Sequence, residues 1–415
     1  MAGVRFPSVE NATGADPQPR LSVAGGSQRP RSRAPIRVAV ALGGIDRGRS
    51  GIGRYAQAVL PRLIAEVTRT GGSVAAMGTR RDFEDCAEQL AGADRVAIPD
   101  ACDAPGPSAL WHLARAAGRA RRAGASVLLL PAGNRRAALG AAVPTVAVVH
   151  DLAPLRVPGK YDALRTFYLR RMLTAALRRT TQLVADSNAT RDDLLLAGCS
   201  AERVRVVHCG VDTSRFRAAS SEALIRAARL GHGLARPYLF YPARLEHPGK
   251  NHVRLLNAFA LSTLRKDHDL VLAGADWGAE KRIRQEIARL GLTTCVRLLG
   301  YVPDESLAGL LAGAEAVLVV GLYEGFGLPA LEALASGRPA VVARTGASLE
   351  SVGRLGVPCD PYDEISMRAA MERAVADVRV RERAALEGPG WAAAWSWDRT
   401  ARGLVDACLA AVACR

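Results

Sequence analysis

The chain reads as an α/β protein built from two doubly wound, Rossmann-like domains that face each other across a cleft. Three observations give that class. Short apolar, β-branched runs alternate with longer helical patterns; the alternation comes in two series, separated by a break at about 213–236; and 415 residues leave room for two or three domains at roughly 100–200 residues each. Continuous apolar strands, each followed by a helix, indicate parallel sheets covered on both faces.

Residues 1–34 are rich in Gly, Pro, Ser and Arg and lack the apolar core of a signal peptide, so they are expected to form a disordered tail. The first series reads "IRVAVAL" (36–42), "SVLLLPAG" (126–133), "PTVAVVHD" (144–151), "TQLVADSN" (181–188) and "VRVVHCGVD" (204–212), which gives a first domain over 35–215. The second reads "YLFYPAR" (238–244), "LVLAGAD" (270–276), "VRLLGYV" (296–302), "AVLVVGL" (316–322) and "PAVVAR" (339–344), which gives a second over 216–391. Ligands of such sheets bind beyond the carboxyl ends of the strands, and here those ends face the cleft.

Composition excludes several classes. The net charge of +16 comes almost entirely from arginine, with lysine only at 160, 250, 266 and 281. A basic balance suits nucleic acid, an anionic membrane face or phosphorylated substrates, and equally a surface that uses arginine wherever a cation is wanted. No aromatic-basic repeat or long basic run supports a nucleic-acid partner. The eight cysteines are scattered without a C-x-x-C pair and read as small buried hydrophobes, with no metal site expected. No apolar run approaches the ~18 residues of a membrane span, and a cytoplasmic location is expected. In "SALWHLARAAGRARRAG", Arg115, Arg119 and Arg122 share a helical face opposite Leu110, Leu113 and Ala117. That stripe suggests peripheral contact with anionic lipid at the inner membrane face, or else a core-facing helix with a solvated outer side.

The chemistry concentrates in "LYEGFGLPALEALASG", residues 322–337. A strand runs into a glycine-rich loop, Pro329 opens a helix and Gly337 ends it. Gly325 and Gly327 let backbone approach a ligand, and the free N–H groups of a helix N-terminus suit phosphate. Glu324 in the loop and Glu332, expected in the first helical turn, flank that site and can accept hydrogen bonds from sugar or ribose hydroxyls. In "YPARLEHPGKNH", Arg244 at a strand end and Lys250 six residues later can hold a diphosphate between a guanidinium fork and a compact ammonium. In the first domain, Gly51 and Gly53 precede a helix expected to begin near Arg54, without a complete dinucleotide fingerprint. His150 closes a strand and should point into the cleft, where it is as readily structural as functional. Asp267-His268-Asp269 resembles a metal–diphosphate motif, but it sits before a strand, at the sheet's amino edge, and reads as a solvated turn.

As an ordered set these stretches resemble the family-4 retaining glycosyltransferases, whose two-domain fold is called GT-B. The E-x7-E pair Glu324/Glu332 and the basic loop "ARLEHPGKN" match, as do "GIGRY", "VVHDLAP", "VADSNATRDDL", "VVHCGVD", "LLGYVPDESLAGLLAGAEAVLVV", "DPYDE" and "WSWDRTA". The resemblance spans about residues 36–405 and is nearest to bacterial mannosyltransferase-like members that build polysaccharide or lipopolysaccharide precursors. It implies that Glu324 binds donor hexose hydroxyls, Glu332 the ribose, and Arg244 and Lys250 the diphosphate. Backbone at Phe326, Gly327 and Leu328 would touch the hexose or its phosphate. Gly51 and Gly53 would let the first domain close over the diphosphate, and His150 would lie by the reacting sugar. It further implies a nucleotide-sugar donor, with GDP-mannose the first choice, a saccharide or lipid-linked saccharide acceptor bound on the side of the first domain, and no cofactor. A C-terminal helix, about 392–415, would pack back on the first domain. The sequence departs from the family where Pro-Ser is replaced by Val320-Gly321, where "SLPEV" becomes "SLESV" (348–352), and in a shortened "GRLGVPCDP". Two other readings use the same fold: a nucleotide-sugar 2-epimerase and a non-catalytic interaction protein. The intact acidic and basic loops argue against both.

Overall fold

The computed structural model describes residues 35–46, 50–140, 142–160, 166–218 and 222–414. The N-terminal tail and Arg47–Arg49 of the glycine-rich stretch lie outside them. The first sheet has seven strands: β1 Arg37–Ala41, β2 Ser73–Gly78, β3 Asp94–Ala97, β4 Val127–Leu130, β5 Thr145–Val149, β6 Gln182–Ala185 and β7 Val204–Val206, in the order β3-β2-β1-β4-β5-β6-β7. The second has six: β8 Tyr238–Pro242, β9 Asp269–Ala273, β10 Val296–Gly300, β11 Ala316–Val319, β12 Ala340–Ala343 and β13 Val357–Cys359, in the order β10-β9-β8-β11-β12-β13. Every pairing between these strands is parallel. β1, β4 and β5 are buried on both faces because helices cover each side, which is why they read as unbroken apolar runs.

Each sheet reverses its strand order once, between β1 and β4 and between β8 and β11. At such a switch point the connections leave in opposite directions and open a crevice at the carboxyl ends. The segments after these four strands carry Ser50–Arg54, Arg135, Arg244 and Glu324.

The helix Gly51–Arg69 buries Tyr55, Val59, Leu60, Leu63 and Val67 along one face. The helix Trp397–Ala413 packs against it and against the first sheet, burying Thr400, Leu404, Ala407, Cys408 and Ala411. Its close approach needs Gly210, where a Cβ would lie 2.3 Å from the Trp397 nitrogen.

Three strands escape the sequence reading. β2 is alanine-rich and lacks β-branched character beyond Val74. β3 is an edge strand that buries only Val96, and β13 is a three-residue edge strand carrying Pro358. The helix Pro105–Arg122 also corrects an expectation. Ala117 is buried and Leu113 packs on the core, leaving Leu110 as the exposed member of its apolar stripe. Arg119 donates to the Ala97 carbonyl. The stripe is occupied by the protein's own core, so it offers lipid no continuous apolar face. Asp269 is not solvated: it starts β9, is buried, and pairs with Arg236 and Arg297, while Asp267 stays exposed. No helix among the described residues is long and apolar enough to cross a membrane.

Candidate active site

The basic loop is held rigidly before any ligand is considered. Arg244 lies two residues past β8, and its guanidinium stacks 4.2 Å from the Trp277 ring centroid. Nη2 sits 2.9 Å from Glu246 Oε2, which fixes the fork's direction. Glu246 Oε1 lies 3.3 Å from Lys160 Nζ, a lysine of the first domain. Burial opposes ionisation of Glu246, but Lys160, Arg244 and Lys250 together hold its carboxyl below the ordinary range. Tyr241 Oη donates to the Lys250 carbonyl at 2.6 Å, and Asn251, in a left-handed conformation, donates to the Val320 and Pro361 carbonyls. Leu322 N–H donates to the Gly249 carbonyl at 2.9 Å, so the basic and acidic loops are tied backbone to backbone.

The acidic loop joins β11 to the helix Leu328–Ala335 through Gly327, whose φ of +84° suits glycine. Lys250 Nζ donates to both oxygens of Glu324, at 2.8 and 2.9 Å. An ammonium has three protons, so one is left for a ligand. Gly321 makes this orientation accessible, because a Cβ there would lie 2.4 Å from Glu324 Oε1. The glycine of the Val320-Gly321 departure thus has a local reason. Phe326 turns its side chain into the core against Trp395, 5.5 Å between centroids, and offers the cleft its backbone.

Glu332 corrects an expectation. It sits in the second turn of its helix, 3% exposed, and Arg54 of the first domain donates to its Oε1. Gly51 and Gly53 also differ from the reading: they are the first and third residues of the helix Gly51–Arg69, which Ser50 caps, so the helix begins before Arg54. Among the described residues, nothing lies within 4 Å of where a Cβ on Gly51 would be.

His150 follows β5. Its Nε2 donates to the Pro131 carbonyl at 2.8 Å, its Nδ1 lies 3.4 Å from Asp186 Oδ2, and the Tyr55 ring packs edge-on at 4.5 Å. Burial raises the Asp186 carboxyl against the opposing pull of His150. Cys209 is near enough that His150, Asp186 and Cys209 bring potential ligand atoms within 4.8 Å of one another.

One cleft is lined by Gly51 and His150 from the first domain and by Arg244, Lys250, Glu324, Phe326, Gly327 and Leu328 from the second. Gly53 and Glu332 lie behind that lining. The domains meet tightly at its floor, where a Cβ on Gly325 would fall 1.7 Å from the His150 carbonyl oxygen. Tyr323 donates to Asp193, and Glu350 accepts from Asn188 and contacts His208 at 2.6 Å. The sequence reading missed Arg54, Lys160, Glu246 and Asp186. Arg54, Glu246 and Asp186 lie inside stretches already marked, and Lys160 was noted only as one of four lysines. What was lacking was knowledge of which side chains turn inward.

Comparison with known proteins agrees with the two-domain fold. The first domain matches the family described as Glycosyltransferase Family 4 over residues 50–215, and the second matches Glycosyl transferases group 1 over 226–390. The O-antigen chain mannosyltransferase B of Escherichia coli is 28% identical over 266 residues, 63% of this chain and 69% of that one. The MMP alpha-(1->4)-mannosyltransferase of Mycolicibacterium hassiacum is 33% identical over 239 residues, 54% of this chain and 55% of that one. Beyond the first of these, the chain spans about half the length of the relatives it matches. Among solved structures, Anabaena HepE in complex with UDP and glucose superposes with a TM-score of 0.69 at 19% identity, covering 89% of this chain and 98% of that one. WaaG, a glycosyltransferase of lipopolysaccharide biosynthesis, gives 0.65 at 16% identity, covering 89% and 99%.

Proposed function

We propose, from the premise that this chain is a glycosyltransferase with the two-domain GT-B fold, that it moves a hexose from a nucleoside-diphosphate sugar to a saccharide acceptor with retention of anomeric configuration. The first choice of donor is GDP-mannose, supported by the names of the two mannosyltransferase relatives. The acceptor class that fits such relatives is a lipid-linked or cell-surface polysaccharide precursor, and the reaction would take place in the cytoplasm.

The observation that carries the reading is the convergence of Arg244, Lys250 and the N-terminus of the helix Leu328–Ala335 on one crevice. Cleaving a sugar–phosphate bond puts negative charge on the departing diphosphate. Two fixed cations and a helix N-terminus are aimed where that charge develops, and they need not reorganise as it does. Glu324, held by Lys250, presents its carboxylate to hydroxyls of the hexose, and backbone at Gly327 and Leu328 can approach the phosphate closely. The acceptor would enter between His150 and the donor, and the leaving phosphate would help take its proton on the same face. Glu332 would accept from the ribose once the nucleotide is seated. Tight contact between the domains at Gly325 excludes water and limits hydrolysis. The charge is met by protein groups, so transfer is expected to continue in excess EDTA.

The test is a panel of nucleotide sugars assayed for slow hydrolysis and thermal stabilisation. Consumption of one donor with release of its nucleoside diphosphate supports the reading. Conversion of a donor to its 2-epimer would favour epimerase chemistry, and no response to any donor would favour a non-catalytic role.

A further inference from the structure

We infer that Arg54 is a third cation of the diphosphate site, supplied by the first domain and parked on the Glu332 carboxylate while the cleft is empty. The inference deepens the transfer reading and rests on it.

Four observations lead there. Arg54 lines the same cavity as Arg244 and Lys250, although it stands on the opposite domain. It occupies the first turn of the helix Gly51–Arg69, which has no acidic residue in that turn. A cation at a helix N-terminus opposes the helix dipole, so helix stability does not explain it, and in the empty cleft its charge is met by Glu332. Among the described residues, nothing lies within 4 Å of where a Cβ on Gly51, three residues earlier, would be. Finally, the partner of Arg54 is incompletely satisfied. Glu332 is 3% exposed, Arg54 takes Oε1, and Oε2 is buried without a hydrogen-bond partner. A buried carboxylate oxygen left bare is costly, and a hydroxyl donor would satisfy it.

The two ends of one ligand meet these needs. A ribose hydroxyl can donate to Glu332, and the diphosphate of the same nucleotide supplies a stronger anion for the guanidinium. A guanidinium carries five donors in a planar fork, so Arg54 can keep one contact to Glu332 while turning the others to phosphate. Its guanidinium carbon lies 5.8 Å from the Phe216 ring centroid. Nucleotide binding would then bring the first domain's own charge onto the leaving group, and the cation set would be complete only when the domains are closed.

Isothermal titration calorimetry on the full chain with GDP and UDP, each paired with its monophosphate, tests this. Lys250→Ala serves as the reference for a lost phosphate contact. Arg54→Ala is expected to weaken the diphosphate that binds wild type by about tenfold or more, equivalent to about 1.4 kcal/mol, while changing monophosphate affinity far less. Arg54→Lys should recover part of the loss. Glu332→Gln, which alters the ribose contact common to both ligands as well as the resting partner of Arg54, should weaken both ligands. If Arg54→Ala is too unstable to titrate, the double variant with Glu332→Gln removes the orphaned charge and should still show the selective diphosphate loss. Equal weakening of mono- and diphosphate by Arg54→Ala, or no weakening while Lys250→Ala does weaken, would overturn the role of Arg54 and leave the transfer reading standing. If wild type binds neither, dTDP and its monophosphate are titrated in the same way, and a chain that binds none of the three diphosphates would overturn both.

Discussion

Lys250 and Glu324 lie 74 positions apart, yet they share two hydrogen bonds. On the proposed reading the ammonium presents Glu324 to the sugar and keeps one proton for phosphate, so losing it should show more in turnover than in donor affinity. Lys250→Ala is expected to lower kcat by roughly a hundredfold, on the order of 3 kcal/mol, with a smaller change in donor Kd. Arg244→Lys should fail similarly. An ammonium can neither stack on Trp277 as a guanidinium does nor keep the Glu246 contact while gripping phosphate. Turnover near wild type with only donor affinity reduced would make both residues binding clamps. Glu324→Gln keeps the size of the side chain but loses the ion pair and is expected to nearly abolish transfer in a folded protein. Activity within a few-fold of wild type would remove Glu324 from the site.

Among elements, the acidic loop and the strands flanking the switch points were the most legible. Their signals are local: apolar runs for β8 and β11, the Gly-x-Gly spacing, and Pro329 in a first turn. What could not be read locally was pairing across the cleft. Glu332 has the right spacing for a ligand contact, yet its helix turns it inward to Arg54, 278 positions away. β2 and β3 were missed because one is alanine-rich and the other is an edge strand with a single buried side chain. The basic stripe of the helix Pro105–Arg122 showed its periodicity, but periodicity does not say whether the apolar side meets lipid or core. Gly325 tests the loop as a unit. A Cβ there must displace the His150 carbonyl, so Gly325→Ala should hold the domains apart by more than about 1 Å and cost roughly a hundredfold in turnover. Far-ultraviolet circular dichroism should stay unchanged. Undiminished turnover in this variant would mean the closed contact does not matter to the reaction.

At the scale of the whole molecule, ion pairs and hydrogen bonds from both domains close the cleft, and one pair has a pH signature. The Glu246 carboxyl is held below its ordinary value of 4.5. A depressed carboxyl adds stability that is full above the unfolded value and is lost as pH falls through the folded one. The melting temperature of Lys160→Met should therefore lie below wild type at neutral pH, with the gap narrowing as pH falls below about 4.5. A gap that widens in acid would contradict the Lys160–Glu246 contact. The fold places two cations, a helix N-terminus and Glu324 around one crevice, and transfer to an acceptor follows from what that set can stabilise. The most direct test is proton NMR of GDP-mannose, UDP-glucose, UDP-galactose and dTDP-rhamnose incubated with the full chain in excess EDTA. The expected result is consumption of one donor, release of its nucleoside diphosphate and a first-formed sugar product with the donor's anomeric configuration. Inverted configuration, a 2-epimer, or turnover restored only by an added divalent metal would contradict it, and restoration by zinc would point to His150, Asp186 and Cys209.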